Sequence, residues 1–425
     1  VTVLPYLKLA FRNIFRFKRR TFITFLATSV GLSLLIVTIS LMNGIDKDSI
    51  SNIINCQTSH IKIFAPGYYE KRDEYPLDLT IGDPSQHYSA LLAIPGVQAV
   101  ESRILFGATL INGADELPCL GVAVETDRDP DLFKIKESIL QGSWIEANDL
   151  KILIGTDLAK DLRIGAGDTL TLRLITSTDK ENFSWNAVDV EIKGVFESGD
   201  PNVDRGRIFI PMAAAREGLG LPDQASEIVV RLDTAWEKRI ESLQAQIQQT
   251  VNKGSSDFEA YSWKQLASGF LAVSKMKTRN SIIIFGIMLL IAVVGIVNTM
   301  LMTVMERTRE IGMLTAMGMK QREILRLFLY EGGFIGLIGS FMGCILGGLF
   351  SWYLQAKGFS ITTWGETFQR MSEAIYPVKG VFYADLSFGV LLMVFLFGTA
   401  IALLASYFPA RRAARMDPIR ALRHL

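Results

Sequence analysis

Four apolar runs decide what this chain can fold into. Residues 21–43, 280–305, 327–354 and 385–408 each contain a core of roughly 20 residues almost without charge, the length at which an α-helix crosses a ~30 Å hydrocarbon layer. A buried helix of a soluble core is seldom so long or so uniformly apolar. The chain is therefore expected to cross a membrane four times. The first run is read as a retained anchor, because its apolar stretch is long and it continues into LMNGIDKD without a small-residue cleavage site.

Overall charge is balanced, with 44 Lys and Arg against 43 Asp and Glu, so no global field argues for nucleic acid or an acidic substrate. The local distribution sets an orientation. Lys8, Arg12, Arg16, Lys18, Arg19 and Arg20 precede the first span, Arg307, Arg309, Lys320, Arg322 and Arg326 separate the second and third, and Arg411, Arg412, Arg415, Arg420 and Arg423 follow the fourth. Basic flanks stay in the cytoplasm, which places both termini and 306–326 inside. Lys275, Lys277 and Arg279 point the other way but follow a very long segment, where the charge rule is weak.

The expected layout is a cytoplasmic amphipathic helix at 1–20, spans at 21–43, 280–305, 327–354 and 385–408, an external domain at 44–277, a cytoplasmic turn at 306–326, a short external loop at 355–384 and a cytoplasmic tail at 409–425. In the first segment Leu4, Leu7, Phe11, Ile14 and Phe15 recur at helical spacing with Lys8, Arg12 and Arg16 opposite, the pattern of a helix lying on anionic headgroups. The external segment reads as α/β. HIKIF, AVESRILFGATLI, LPCLGVAV, DTLTLRLI, AVDVEIKGVF, GRIFIPM and SEIVVRL carry strand alternation, while SALLAIPG, GTDLAKDLRIGAGD and TAWEKRIESLQAQIQQTV read as helices. Its size suggests two subdomains of mixed sheet with helices on one face.

Catalytic chemistry is hard to find. His60, His87 and His424 are scattered, and no GxxxxGK[ST], GxSxG or HExxH is present. IGAGDTL reads as a turn. Cys344 falls inside the third span, and Cys56 and Cys119 lie in the external domain, where pairing is left open. No enzyme is expected and no cofactor bound by this chain. Glu331 is the one obvious acid in an apolar run; such acids are functional suspects, although one turn from the interface the side chain can snorkel. In the third span Gly339, Gly343 and Gly347 follow Gly332 and Gly336 at mostly four-residue spacing, a strip on which another helix, the fourth or the second, can pack closely.

Between the second and third spans stands ERTREIGMLTAMGMKQREI, from 306 to 324. Ile311, Met313, Leu314 and Met317 give it an apolar side, charges rim it, and Gly318 is placed to end a helix in the left-handed region. A short helix of that kind suits docking into a protein groove, or else resting on lipid. With the glycine-rich span behind it and YFPARRAARMDPIRALRH at the end, the stretch resembles the FtsX-like permease domain of ABC transporters.

The resemblance implies a coupling helix at about 306–317, with Arg309, Glu310, Met313, Leu314 and Met317 against the ATPase. It also implies that ATP and Mg reside on a separate P-loop ATPase dimer, and that a second permease copy or paralogue completes the assembly. SLMNGIDKDSISNI and SHIKIFAPGYYE are similar to lipoprotein-releasing permeases of the bacterial cytoplasmic membrane, so the expected function is lipoprotein extraction, with a periplasmic carrier as a further partner and no nucleic acid. The turn at 177–185 is short for the hook that recruits such a carrier. MacB-like efflux and FtsX-like control of cell-wall hydrolases are the alternatives. Lipidated cargo is expected where membrane lipids meet Leu41, Met42, Ile45, Phe270, Met276, Ile282 and Phe285, with Lys275, Lys277 and Arg279 toward anionic headgroups.

Overall fold

The computed structural model describes residues 9–12, 18–179, 182–254, 257–361 and 366–417. Most of the amphipathic segment at 1–20, the tip of the 177–185 turn and the basic residues after 417 lie outside the described residues. Two compact units emerge. One comprises Ser274–Ser360 with the segments ending at Lys47 and beginning at Phe382; the other comprises Asp48–Val273 and Ile361–Val381.

The first unit is helical. TM1 (Lys18–Asn52), TM2 (Ser268–Glu306), TM3 (Gln321–Lys357) and TM4 (Phe388–Ala414) are each long and apolar enough to cross a membrane. Their apolar exteriors suit lipid, so the contacts between them rest on close approach and a few polar staples rather than on escape from water. Thr24 of TM1 donates to Thr299 of TM2 at 3.0 Å, and Ser29 Oγ donates to the Gly339 carbonyl of TM3 at 3.1 Å.

The glycine strip of TM3 serves two partners in succession. A Cβ on Gly332, Gly333 or Gly336 would strike Ser406, Leu403 or Ala402 of TM4, whereas one on Gly339, Gly343 or Gly347 would come within 3.0, 2.9 and 2.9 Å of Thr28, Leu32 and Ser33 of TM1. The three glycines expected against the fourth or second span therefore pack on the first. Gly332 and Gly336 pack on the fourth span, as expected, and the later glycines on the first.

The second unit is built on one ten-stranded sheet. Its strands are β1 (Ile61–Phe64), β2 (Val97–Asn112), β3 (Asp115–Val124), β4 (Ile139–Gly142), β5 (Lys151–Gly155), β6 (Thr169–Asp179), β7 (Asn182–Phe196), β8 (Arg207–Pro211), β9 (Glu227–Leu232) and β10 (Glu259–Ser262). They run β10-β1-β9-β2-β3-β8-β5-β7-β4, with β6 pairing β2 and β7. All seven stretches read as strands appear among them. Among the described residues of this unit the strands share one sheet with three cores, so the expected division into two subdomains is not confirmed.

Register decides which core each residue enters, because alternate residues face opposite sides. On one face Ile61, Ile63, Ile228 and Val230 meet Ile240, Leu243, Ile247 and Val251 of α3 (Ile240–Val251), spaced at helical intervals. Farther along that face Ile104, Phe106, Ile208 and Ile210 meet α1 (Thr156–Leu162) and α2 (Met212–Leu219). The opposite face carries Val122, Val124, Phe209 and Val229 with Phe133 and Ile135. Cys56 belongs to this last core and Cys119 packs against the α1–α2 core, so the sheet separates them and both are free thiols. Burial pushes each thiol up to about 12.

Most of the loop that joins TM3 to TM4 in sequence belongs to this second unit. Lys379 reaches Asp157 at 2.9 Å, Glu197 at 3.0 Å and Asp204 at 3.3 Å, and Arg205 pairs with Glu373. Asn52 donates to the carbonyls of Pro377 at 2.8 Å and Gly199 at 3.0 Å. Burial by itself would lower the pKa of Lys379, but the bond to Asp157 and the charges of Asp204 and Glu197 outweigh it and hold the ammonium above its ordinary range.

Candidate functional site

The junction between TM2 and TM3 is built around a break and a pin. Helical geometry stops at Arg307 (φ −103°, ψ 15°), then resumes as a short helix at Thr308–Ala316. That helix ends at Gly318, whose φ of +96° lies in the region that only glycine adopts without strain. The backbone closes with Met319 N donating to Leu314 O at 3.1 Å. TM3 starts after Lys320, whose N–H donates to Glu323 at 2.8 Å.

The pin is Arg307. Its Nη1 donates to Glu331 Oε1 at 2.7 Å and its Nε to Glu310 Oε2 at 3.0 Å, with the guanidinium 5.5 Å from the Phe328 ring centre. Arg307 is 6% exposed and Glu331 3%. Glu331 therefore neither snorkels nor stands as an isolated acid: it ties TM3 to the start of the junction helix. Ile311 completes the anchor, packed with Ile296, Met300, Val304, Ile324 and Phe328. Breaking a buried pair by removing one partner leaves an uncompensated charge.

Anchored on that side, the helix leaves its other side open. Met313 and Met317 are exposed, Met317 by 83%, Arg309 is exposed and Leu314 half-buried. Glu310 is turned toward Arg307. Of the five residues assigned to coupling, four thus form an accessible face and the fifth helps hold it. Flexible methionines beside charge make an adaptable contact surface. Sequence reading missed the pin itself, since Arg307 and Glu331 stand 24 positions apart and no local periodicity links them.

The residues expected to meet cargo are dispersed. Ile45 is buried, Leu41, Met42 and Phe285 are half-buried, Met276 and Ile282 are exposed, and Phe270 belongs to the second unit. Met42 is engaged by Ser281, whose hydroxyl lies 3.2 Å from its sulfur. Lys277, expected toward headgroups, pairs with Asp46 of TM1, to which Ser274 also donates at 3.0 Å. An apolar cavity of about 40 Å³ lies deeper among the spans, bordered by Thr28, Leu32, Met288, Ile296, Phe397 and Ile401. None of the seven expected residues lines it. It has room for a few waters at most, not an acyl chain.

The chain is similar to known proteins along most of its length. The model of the MacB-like periplasmic core domain matches residues 21–250, and that of the FtsX-like permease C-terminal domain matches 282–418. The chain is 23% identical over 428 residues to the lipoprotein-releasing system transmembrane protein LolC of Xylella fastidiosa strain Temecula1, covering 96% of each. It is 25% identical to an uncharacterized ABC transporter permease of Methanocaldococcus jannaschii, covering 97% of this chain and 96% of that one. It is also 24% identical to the macrolide export ATP-binding/permease protein MacB of Pasteurella multocida, covering 97% of this chain and 59% of that protein.

Proposed function

We propose, for a chain that belongs to the ABC-transporter permeases with a MacB-like periplasmic core and an FtsX-like C-terminal domain, the task of extracting lipoproteins from the bacterial cytoplasmic membrane. The observation that carries the transport reading is the junction helix, pinned by the Arg307–Glu331 pair and exposing Met313 and Met317. A pinned helix transmits a push; an unpinned one would absorb it. Arg309, Met313, Leu314 and Met317 dock on a separate P-loop ATPase, which holds ATP and Mg. Two ATPase subunits need two permease halves, so a second copy or a paralogue completes the assembly. The termini and the junction face the cytoplasm, as the basic residues flanking the spans suggest.

Two features support lipoproteins as cargo: the end-to-end similarity to a lipoprotein-releasing protein and the SLMNGIDKDSISNI stretch that closes TM1. The match to a macrolide exporter over 97% of this chain supports efflux as the second reading. Depletion of the protein in its native cell separates them. Lipoproteins retained in the cytoplasmic membrane support extraction; normal lipoprotein sorting with heightened sensitivity to exported small molecules supports efflux and overturns the first reading.

A further inference from the structure

The sheet of the second unit carries charge where a core is expected. Residues Lys62 of β1, Glu227 of β9, Arg103 and Leu105 of β2, Leu120 of β3 and Arg207 of β8 share one face. The register shows this directly: Lys62 pairs Val229, Glu227 pairs Arg103, Leu105 pairs Val122, and Leu120 pairs Arg207. Together they form a band across five adjacent strands, next to the core of Val122, Phe209 and Val229 on that same face. The band borders a cavity of about 210 Å³, whose other walls include Phe64, Tyr68 and Tyr75.

The charges are unevenly satisfied. Arg103 is paired with two acids, Glu101 and Asp129, and stacks 3.5 Å above the Phe133 ring centre. Among the described residues Lys62 has one acceptor, Glu227 Oε1 at 2.7 Å, which leaves two of its three N–H groups to spare. Glu227 Oε2 is buried without a partner among the described residues. Arg207 makes no ion pair among the described residues; its contact is a 3.5 Å bond from Nη1 to the Cys56 carbonyl. Burial lowers the pKa of both Lys62 and Arg207 from their ordinary ranges, as for cations short of counter-charge. Unused guanidinium and ammonium donors facing a common space are costly to keep unless something accepts from them.

We propose that this cavity binds a small organic oxyanion, its carboxylate or phosphoryl head accepting from Arg207 and Lys62 and its apolar body lying against Leu105, Leu120 and Phe64. A guanidinium offers paired donors in the geometry that such heads accept, and Phe64, Leu105, Leu120 and Leu266 give the wall an apolar side. The head also supplies a second acceptor for the Lys62 ammonium. At about 210 Å³ the space lies below the ~300–1,000 Å³ of drug-sized sites, so the ligand is about the size of a substituted single ring. The inference concerns the second unit alone and does not depend on the cargo or on the ATPase.

The test uses the full chain in nanodiscs of zwitterionic phosphatidylcholine, titrated with phenyl phosphate and with benzoate by calorimetry. Saturable binding at one site per chain is expected for at least one probe. Arg207→Ala should weaken it by about tenfold or more, the loss of a charge-assisted contact, while Arg207→Lys retains part of the affinity. Should Arg207→Ala fail to fold, Leu120→Trp, which fills the space without changing charge, should abolish binding. Arg128→Ala, a surface cation paired with Glu125 at 3.3 Å outside this band, should leave it unchanged. Displacement of the probe by a short-chain phosphatidic acid assigns the natural head to a lipid; no displacement assigns it to a water-soluble anion. Absence of saturable binding by either probe, or an equal loss in Arg128→Ala and Arg207→Ala, overturns the site.

Discussion

Arg307 and Glu331 form a buried ion pair at 2.7 Å that joins the first residue after TM2 to the interior of TM3. The pair explains why a short charged helix between two spans holds a fixed position. It also explains an acid in an apolar run without assigning it proton chemistry. Glu331→Ala leaves the guanidinium with Glu310 alone among these two acids, and should lower stability by about 3–5 kcal/mol, seen as a lower thermal midpoint in detergent. The exchanged variant, Arg307→Glu with Glu331→Arg, should recover part of the loss. Equal destabilisation in the single and exchanged variants would show that the site matters through shape and not through charge.

The open face of the junction helix gives a separate expectation. Met313→Asp or Leu314→Asp places a carboxylate where a docking groove would strip its water, a cost of a few kcal/mol. Insertion into the membrane should be normal, with ATP hydrolysis uncoupled from transport. Unchanged transport in both variants would remove this helix from the mechanism.

Packing of TM3 on TM1 can be probed one methyl at a time. A Cβ on Gly343 comes within 2.9 Å of Leu32, whereas one on Gly348 meets Leu391 at an ordinary 3.6 Å. Gly343→Ala should therefore lower the unfolding midpoint, by about 1–3 kcal/mol of overpacking, and Gly348→Ala should not. A reversed order would contradict the assigned contact.

For Lys379 the sign of the pH effect is fixed by its raised pKa. A lysine stabilised by partners in the folded state contributes fully below its unfolded value, 10.5 in a model compound. That contribution is lost as the pH rises through the higher folded value. Hydrogen exchange across 366–381, corrected for its intrinsic dependence on pH, should therefore stay protected at neutral pH and lose protection above about 10.5. Lys379→Met should show reduced protection already at neutral pH. Protection that is identical in the variant at all pH values would mean the segment is held by its backbone contacts alone.

Much of the architecture was legible because it rests on short-range pattern. Apolar runs of fixed length announce spans, and alternation in SEIVVRL or AVDVEIKGVF announces strands. β5, at Lys151–Gly155, was missed because KILIG is too short and too uniformly apolar to show a period. The strip of TM3 glycines named a face and, for Gly332 and Gly336, the right partner in the fourth span, but not the first span against Gly339, Gly343 and Gly347, since which helix meets that face at each height is decided by the whole bundle. The Arg307–Glu331 pin, the Lys379 cluster and the Arg207 cavity all join residues far apart in sequence. Each depends on strand order or helix packing that no local window contains.

The central claim, that the junction helix couples this permease to a separate ATPase, is tested most directly by site-specific photo-crosslinking. A photoreactive residue at Met317, the more exposed of the two methionines on that helix, should capture a P-loop ATPase in native membranes. The yield should change when ATP is added, and the same probe at the buried Ile311 should capture none. Crosslinks from Met317 to lipid alone, unaffected by ATP, would contradict the account.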